Sequence, residues 1–239
     1  MFPAAKCGSP NPAMPVQAAV GDTVYIRKHI SFLYDNSGSM SMDIGSTPNL
    51  KWCYASYAAQ IFTGLLNDTD SLTFTFMNPL QGDKSKVSQV EIDLEANRQQ
   101  QVDKVFSITD YANSGTPFER ISDTLDVLTD KKGLKADSEI NNNQVNRNEQ
   151  HWLVLTTDGN FTNVPSNTTL VKKLKEILEK YSTLQVVYFG IGTKGDTSAE
   201  AAKDLRNDPE LSKFPNFTAV YAEEQEEIVS TMRSLANRI

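Results

Sequence analysis

Three short runs, His29–Tyr34, His151–Leu155 and Leu184–Ile191, are almost wholly apolar and rich in strand-forming residues. A strand lacks polar alternation in this way when both of its faces are covered. Between these runs lie segments with helical spacing. Leu50, Cys53, Tyr54, Tyr57, Ile61 and Leu65 form one apolar series, Ile121, Leu125 and Leu128 a second, and Val171, Leu174, Leu178 and Tyr181 a third. Buried strands that alternate with helices fold as a parallel sheet with crossover connections. Asp70–Phe76 adds a strand, and Phe217–Tyr221 a last one. Val87–Leu94 differs: Val90, Ile92 and Leu94 alternate with Gln89, Glu91 and Asp93, the pattern of a half-exposed antiparallel edge. Ala96–Phe106 and Ser198–Arg206 read as short helices. Glu223–Ile239 reads as a closing helix, with acids at its start and arginines near its end as the helix dipole favours. The expected class is α/β: a doubly wound, Rossmann-like, mainly parallel central sheet with one antiparallel edge strand and helices on both faces. Thr23–Ile26 reads as a short edge strand or the start of the first strand. Residues 1–21 are a Pro/Ala-rich arm or linker, 22–239 a single domain, and 131–150 a polar, Asn-rich excursion on its surface.

Composition removes several function classes. The 239 residues carry a net charge of −7, which argues against a general nucleic-acid binder and against docking on anionic membranes. An acidic chain can still hold a locally positive site around a bound cation. The two cysteines, Cys7 and Cys53, are too few for a disulfide framework, and Cys53 reads as a small core residue. Lys6-Cys7-Gly8 looks like half a zinc knuckle without its partner, a chance match. The two histidines, His29 and His151, lie in strands, which leaves little material for a His/Cys zinc site or a Ser-His-Asp triad. No run reaches the length of a membrane span, and no signal-peptide pattern opens the chain. The compartment is left open: cytoplasmic if the chain is complete, cell-surface or extracellular if it is a trimmed domain. Asn67, Asn160, Asn167 and Asn216 stand in glycosylation patterns that matter only in a chain secreted from a eukaryotic cell.

The first buried run ends in Asp35-Asn36-Ser37-Gly38-Ser39. A strand there delivers one carboxylate and two hydroxyls to its carboxyl end, where open α/β sheets bind ligands. These hard oxygen donors suit Mg²⁺ or Mn²⁺ better than zinc. Two further segments carry the same chemistry. Ser114-Gly115-Thr116 places a hydroxyl at a helix start, and Thr156-Thr157-Asp158-Gly159 ends a buried strand in an acid. Taken singly, each has an ordinary explanation. Asp35 can cap a turn, Ser37 and Ser39 can satisfy loop backbone, and Asp158-Gly159 can be a strand-exit turn. Thr116-Pro117-Phe118-Glu119 also fits a capping box with proline at the first helical position.

Together and in this order, the three segments resemble the metal-ion-dependent adhesion site of von Willebrand factor A-type domains, the family that includes integrin inserted domains. The resemblance spans roughly residues 22–239. It implies that Ser37, Ser39 and Thr116 coordinate Mg²⁺ (or Mn²⁺, with Ca²⁺ possible), and that Asp35 and Asp158 contribute directly or through water. It further implies a non-enzymatic domain whose partner is a protein presenting Asp or Glu, with no nucleic acid and no membrane insertion. Met40, Ser41, Met42 and Asp43, then Tyr111 and Asn113, then Asn160 and Phe161 would form the rim. Two other roles are compatible with the motifs: an intracellular subunit assisting an ATPase in complex remodelling or metal insertion, and a metal-dependent hydrolase using Asp35 or Asp158. The Pro/Ala arm and the polar insert have no counterpart in the family pattern.

Overall fold

The structure is a computed structural model that describes residues 25–42, 51–83, 85–112, 114–140, 148–158, 161, 167–191, 203–222 and 225–238. Six strands form one sheet: β1 (Arg27–Tyr34), β2 (Ser71–Phe76), β3 (Gln89–Ile92), β4 (Glu149–Thr157), β5 (Leu184–Ile191) and β6 (Phe217–Ala222), in the order β3-β2-β1-β4-β5-β6. Every pairing is parallel except β2 with β3, so the edge marked by clean alternation is the antiparallel one. The chain winds outward from β1 in one direction, then restarts at β4 on the other side. The β1–β4 boundary is therefore the topological switch point, where a crevice opens at the carboxyl ends.

Successive residues of a strand point to opposite faces, and β1 splits accordingly. Phe32 and Tyr34 enter one core with Phe74, Phe62, Ala55, Ala58, Ala59, Val105, Met232 and Leu235. Leu33 enters the other with Ile121, Leu125, Leu128, Leu174, Ile177 and Leu178. The helices divide in the same way. On the first face lie α1 (Lys51–Leu65), α2 (Arg98–Ile108) and α5 (Gln225–Arg238); on the second lie α3 (Arg120–Asp126) and α4 (Asn167–Lys180). A helical segment also spans 203–207. Among the described residues, no helix is long and apolar enough to cross a membrane.

Four details differ from the sequence reading. Helix α1 buries Ala55, Ala58, Ala59, Ile61 and Phe62, while Cys53, Tyr54, Tyr57 and Leu65 are half-buried. Small alanines let α1 lie close against its neighbours, and larger residues then fall at the margins. Cys53 is disulfide-bonded rather than a core residue; Cys7 lies outside the described residues. Tyr25 and Ile26 precede the strand instead of extending it. The Tyr25 hydroxyl donates to Asp70, whose carboxylate also accepts the Lys28 and Asn67 N–H groups at 2.9 and 3.0 Å. The first part of the polar insert packs inward, with Leu134 and Ala136 buried and Asp137 accepting from the Ser182 N–H and hydroxyl at 2.9 and 3.0 Å. Gly133, at φ +74°, makes that return possible after a π-helical turn over Val127–Lys131. The arm and residues 141–147 of the polar insert lie outside the described residues.

Phe32 is fully buried and touches the rings of Phe62 and Phe74 at centroid distances of 5.7 and 5.0 Å. Phe32→Ala is expected to cost about 3–5 kcal/mol, read as a lower urea midpoint at unchanged slope. A loss below about 1 kcal/mol would mean that the β1 core is not packed as described.

Candidate functional site

Parallel register places the first acid beside the second segment. Leu33 pairs with Leu155, so two residues on, Asp35 stands next to Thr157. The Asp35 carboxylate is wholly buried. Its Oδ1 accepts the Ser37 N–H at 2.8 Å, and its Oδ2 accepts the Thr157 hydroxyl at 2.8 Å and the Asp158 N–H at 3.3 Å. One carboxylate thus joins the end of β1, its own loop and the end of β4.

After Ser37 the chain makes a single 3₁₀ turn, Gly38–Ser41, closed by Met40 N–H to Ser37 O and by Met42 N–H to Ser39 O. The turn brings the Ser37 and Ser39 hydroxyl oxygens to 3.0 Å. Ser39 donates onward to Asp158 Oδ1 at 2.7 Å. Asp158 Oδ2 accepts from Lys51 Nζ at 3.0 Å. Lys51 is 5% exposed and is the first residue of α1.

The third segment is fastened to the first through backbone and amide groups. Gly38 N–H donates to Ser114 O at 2.8 Å, and Ala112 N–H donates to Asn36 O at 2.5 Å. The Asn36 side chain makes a two-way bond with the backbone of Asn78, at 3.0 and 2.8 Å, and the Asn78 amide donates to Gly115 O at 2.8 Å. Thr116 is buried at this junction. Helix α3 starts only at Arg120, with Glu119 in the cap position, so Thr116 is not its N-cap and the capping-box reading does not hold.

The donors form one hydrogen-bonded series of oxygens, Ser37–Ser39–Asp158, alongside Asp35. Six oxygens around Mg²⁺ at about 2.0–2.1 Å stand about 2.9 Å apart along each octahedral edge, and the observed steps are 3.0 and 2.7 Å. Hydrogen bonds have that length too, so the donor chemistry is the sharper criterion. All the donors are oxygens and two are carboxylates, a set that fits a hard divalent cation. Among the described residues no group of three or more His, Cys, Asp or Glu could hold a metal, so a site here must draw on hydroxyls.

Burial, with the Asp158 charge behind it, pushes the Asp35 carboxyl up to about 6, against the pull of its hydrogen bonds from Ser37 and Thr157. The fully buried phenols of Tyr34 and Tyr188 are raised first by burial and then by the Asp35 charge.

The rim differs from the sequence reading. Met40 is fully buried, and Phe161 is buried edge-to-face on Phe118 at 5.6 Å. Both are packing residues. Met42 is 60% exposed, and half-buried Tyr111 packs on Trp52 at 5.9 Å. Asp43, Asn113 and Asn160 lie outside the described residues. Sequence reasoning missed Lys51, Thr157 and Asn78. Thr157 lay inside a quoted motif, where its place opposite Asp35 needed the register. Lys51 offered one signal, a cation at a helix start where the dipole disfavours it. Asn78 offered none.

No protein-family model matches the chain, and no curated protein matches it in sequence. Solved structures share its fold. A single-residue mutant of the PilB minor pilin from Streptococcus sanguinis superposes with a TM-score of 0.63 at 11% identity, covering 92% of this chain and 62% of its own. A von Willebrand factor type A protein from Catenulispora acidiphila gives 0.57 at 16%, covering 89% and 42%. Proximal thread matrix protein 1 from the mussel byssus, with zinc occupying its metal-ion-dependent adhesion motif, gives 0.51 at 13%, covering 90% and 46%. The chain spans less than two thirds of each of these proteins.

The raised Asp35 carboxyl makes a signed prediction. Between its ordinary value of 3.8 and about 6, the folded protein holds a proton that the unfolded chain has released. Stability from this group is therefore lost as pH rises through that window. In EDTA, the urea midpoint of the wild type is expected to fall relative to that of Asp35→Asn between pH 4 and 6, and to run parallel above it. Parallel profiles throughout would show that the carboxyl is not shifted.

Proposed function

We propose that this chain, whose fold is that of von Willebrand factor A-type domains, is a metal-dependent protein-interaction domain. It binds an acidic residue of a partner protein through a divalent cation at the carboxyl ends of β1 and β4. The observation that carries this reading is the series of oxygens Ser37–Ser39–Asp158 beside the buried Asp35, at the switch point of the sheet. Ser37, Ser39 and Thr116 are assigned as direct ligands, and Asp35 and Asp158 as ligands directly or through water. Mg²⁺ is the cation we assign, with Mn²⁺ or Ca²⁺ as substitutes. When bound, the cation supplies an electrophilic centre for a partner's Asp or Glu oxygen.

The chain's own residues do the positioning. Asp35 is held by three hydrogen bonds, so its orientation is set before any ligand arrives. The 3₁₀ turn fixes the two serines side by side. The Asn36–Asn78–Gly115 bonds hold the Thr116 segment against that turn. Preset donors reduce the entropy lost on binding.

Hydrolysis is a weaker reading. The ring stack of His29 on His151, at 5.1 Å, belongs to the amino-terminal part of β1 and β4, most of a strand's length from Asp35, so neither imidazole can serve as a base there. Lys51 of α1 does stand at the site, but its ammonium is paired with Asp158. Turnover of a phosphoester panel that vanished in Asp35→Asn would favour a hydrolase.

An intracellular role beside an ATPase is the second reading. The Cys53 disulfide weighs against it, because disulfides persist mainly in oxidising compartments. The structural neighbours include a minor pilin and a pilus adhesin, which agrees with an extracellular adhesive role. Copurification of an ATPase with the native protein would reverse this preference.

Mg²⁺ is expected to raise the unfolding temperature of the wild type over EDTA, and Asp35→Ala is expected to lose that rise. The same variant is expected to lose capture of the partner from extracts of the native source in Mg²⁺. A partner held equally well in EDTA and by Asp35→Ala would overturn the reading.

A further inference from the structure

Lys51 is placed against several local preferences at once. A lysine this buried is found almost only where it is paired, and it opens a helix, where the dipole disfavours a cation. Its backbone N–H donates to Met42 O at 2.9 Å, which fixes the start of α1 against the turn that carries Ser37 and Ser39. Its ammonium ends 3.0 Å from Asp158 Oδ2, while Oδ1 of the same carboxylate accepts from Ser39. The position converges on one function: a fixed positive charge touching a carboxylate of the proposed cation site.

The consequence follows from counting charges. Among the described residues of the cluster, with both carboxylates ionised, Asp35, Asp158 and Lys51 sum to a single negative charge. A divalent cation turns that into a single positive charge, where the two carboxylates alone would have reached neutrality. Buried charges are weakly screened, so the loaded cluster stays unbalanced until an anion joins it. One carboxylate from outside restores neutrality; a neutral oxygen does not.

We propose that Lys51 is a built-in third charge of this site, which weakens binding of the divalent cation alone and strengthens capture of a carboxylate by the loaded site. The proposal rests on the cation-site reading above. Lys51 is a positioning residue, acting through Asp158, and it makes cation and acidic ligand bind cooperatively.

The test is a set of Mg²⁺ titrations followed by thermal unfolding, at constant ionic strength, on the wild type, Lys51→Met and Lys51→Gln. Each is run alone, with sodium acetate, and with acetamide as the neutral control. In EDTA, Lys51→Met is expected to unfold at a lower temperature than the wild type, since Asp158 loses a buried partner. Mg²⁺ alone is expected to stabilise both variants at concentrations about tenfold lower than it does the wild type, since removing a unit charge next to the site is a substantial electrostatic change. Acetate, and not acetamide, is expected to lower the wild-type Mg²⁺ midpoint, with a clearly smaller effect in both variants. A lysine that merely packs α1 would change the EDTA melting temperature and neither midpoint.

Equal Mg²⁺ midpoints in wild type and variants, or an equal acetate effect in all three, overturns the role of Lys51. If Asp35→Ala still abolishes the Mg²⁺ response, the cation site stands without it. If Mg²⁺ stabilises neither the wild type nor the Lys51 variants, the cation site falls and this proposal with it. Stabilisation of the variants alone would support the proposal, with Lys51 excluding the cation from the wild type. If both variants fail to fold, the wild type decides, and an Mg²⁺ midpoint indifferent to acetate overturns the proposal.

Discussion

A single buried carboxylate organises the carboxyl end of the sheet. Asp35 spends one oxygen on its own loop and the other on the end of β4. An ionised group with no access to water is costly, and here its partners are the backbone and hydroxyl donors of two adjacent strand ends. Those bonds fix how β1 and β4 part, which loop emerges between them, and where the second acid, Asp158, must stand. The remaining segments attach to that frame: the serine turn through Asp158, and the Thr116 segment through Asn36 and Asn78.

The site and the bulk of the fold obey different rules. Strands, cores and helix faces follow local preference, with apolar residues alternating to the two faces of the sheet. At the carboxyl end, preference is broken repeatedly: a buried acid pushed towards protonation, and a buried lysine at a helix start. Such departures gather where function overrides stability. At the opposite end of the sheet Asp70 satisfies the Lys28 and Asn67 amides and the Tyr25 hydroxyl, an ordinary structural use of an acid.

Helix faces were legible in unequal measure. Ile121, Leu125 and Leu128 are buried as their spacing implies, whereas α1 turns its alanines inward and leaves Tyr54 and Tyr57 half-buried. Periodicity weighs residues by hydrophobicity, and a helix packed on a sheet and two other helices is chosen by fit as well. The same limit affected the rim. Met40 and Phe161 follow candidate ligand motifs in sequence, yet each has an apolar pocket within reach and fills it. Cys53 shows a further limit, since two cysteines far apart in sequence carry no signal of whether either is bonded.

The sequence by itself determined the class of fold, the strand order's antiparallel exception, and the three segments that hold oxygen donors at strand ends. Those follow from composition and period along short stretches, which local chemistry sets. The tertiary structure alone decided that Asp35 faces Thr157, that Thr116 is not a helix cap, and that Lys51 reaches Asp158 across 107 positions of sequence. These depend on parallel register and on where α1 begins against the sheet. Both are outcomes of packing between elements far apart in the chain, and no local stretch of residues encodes them.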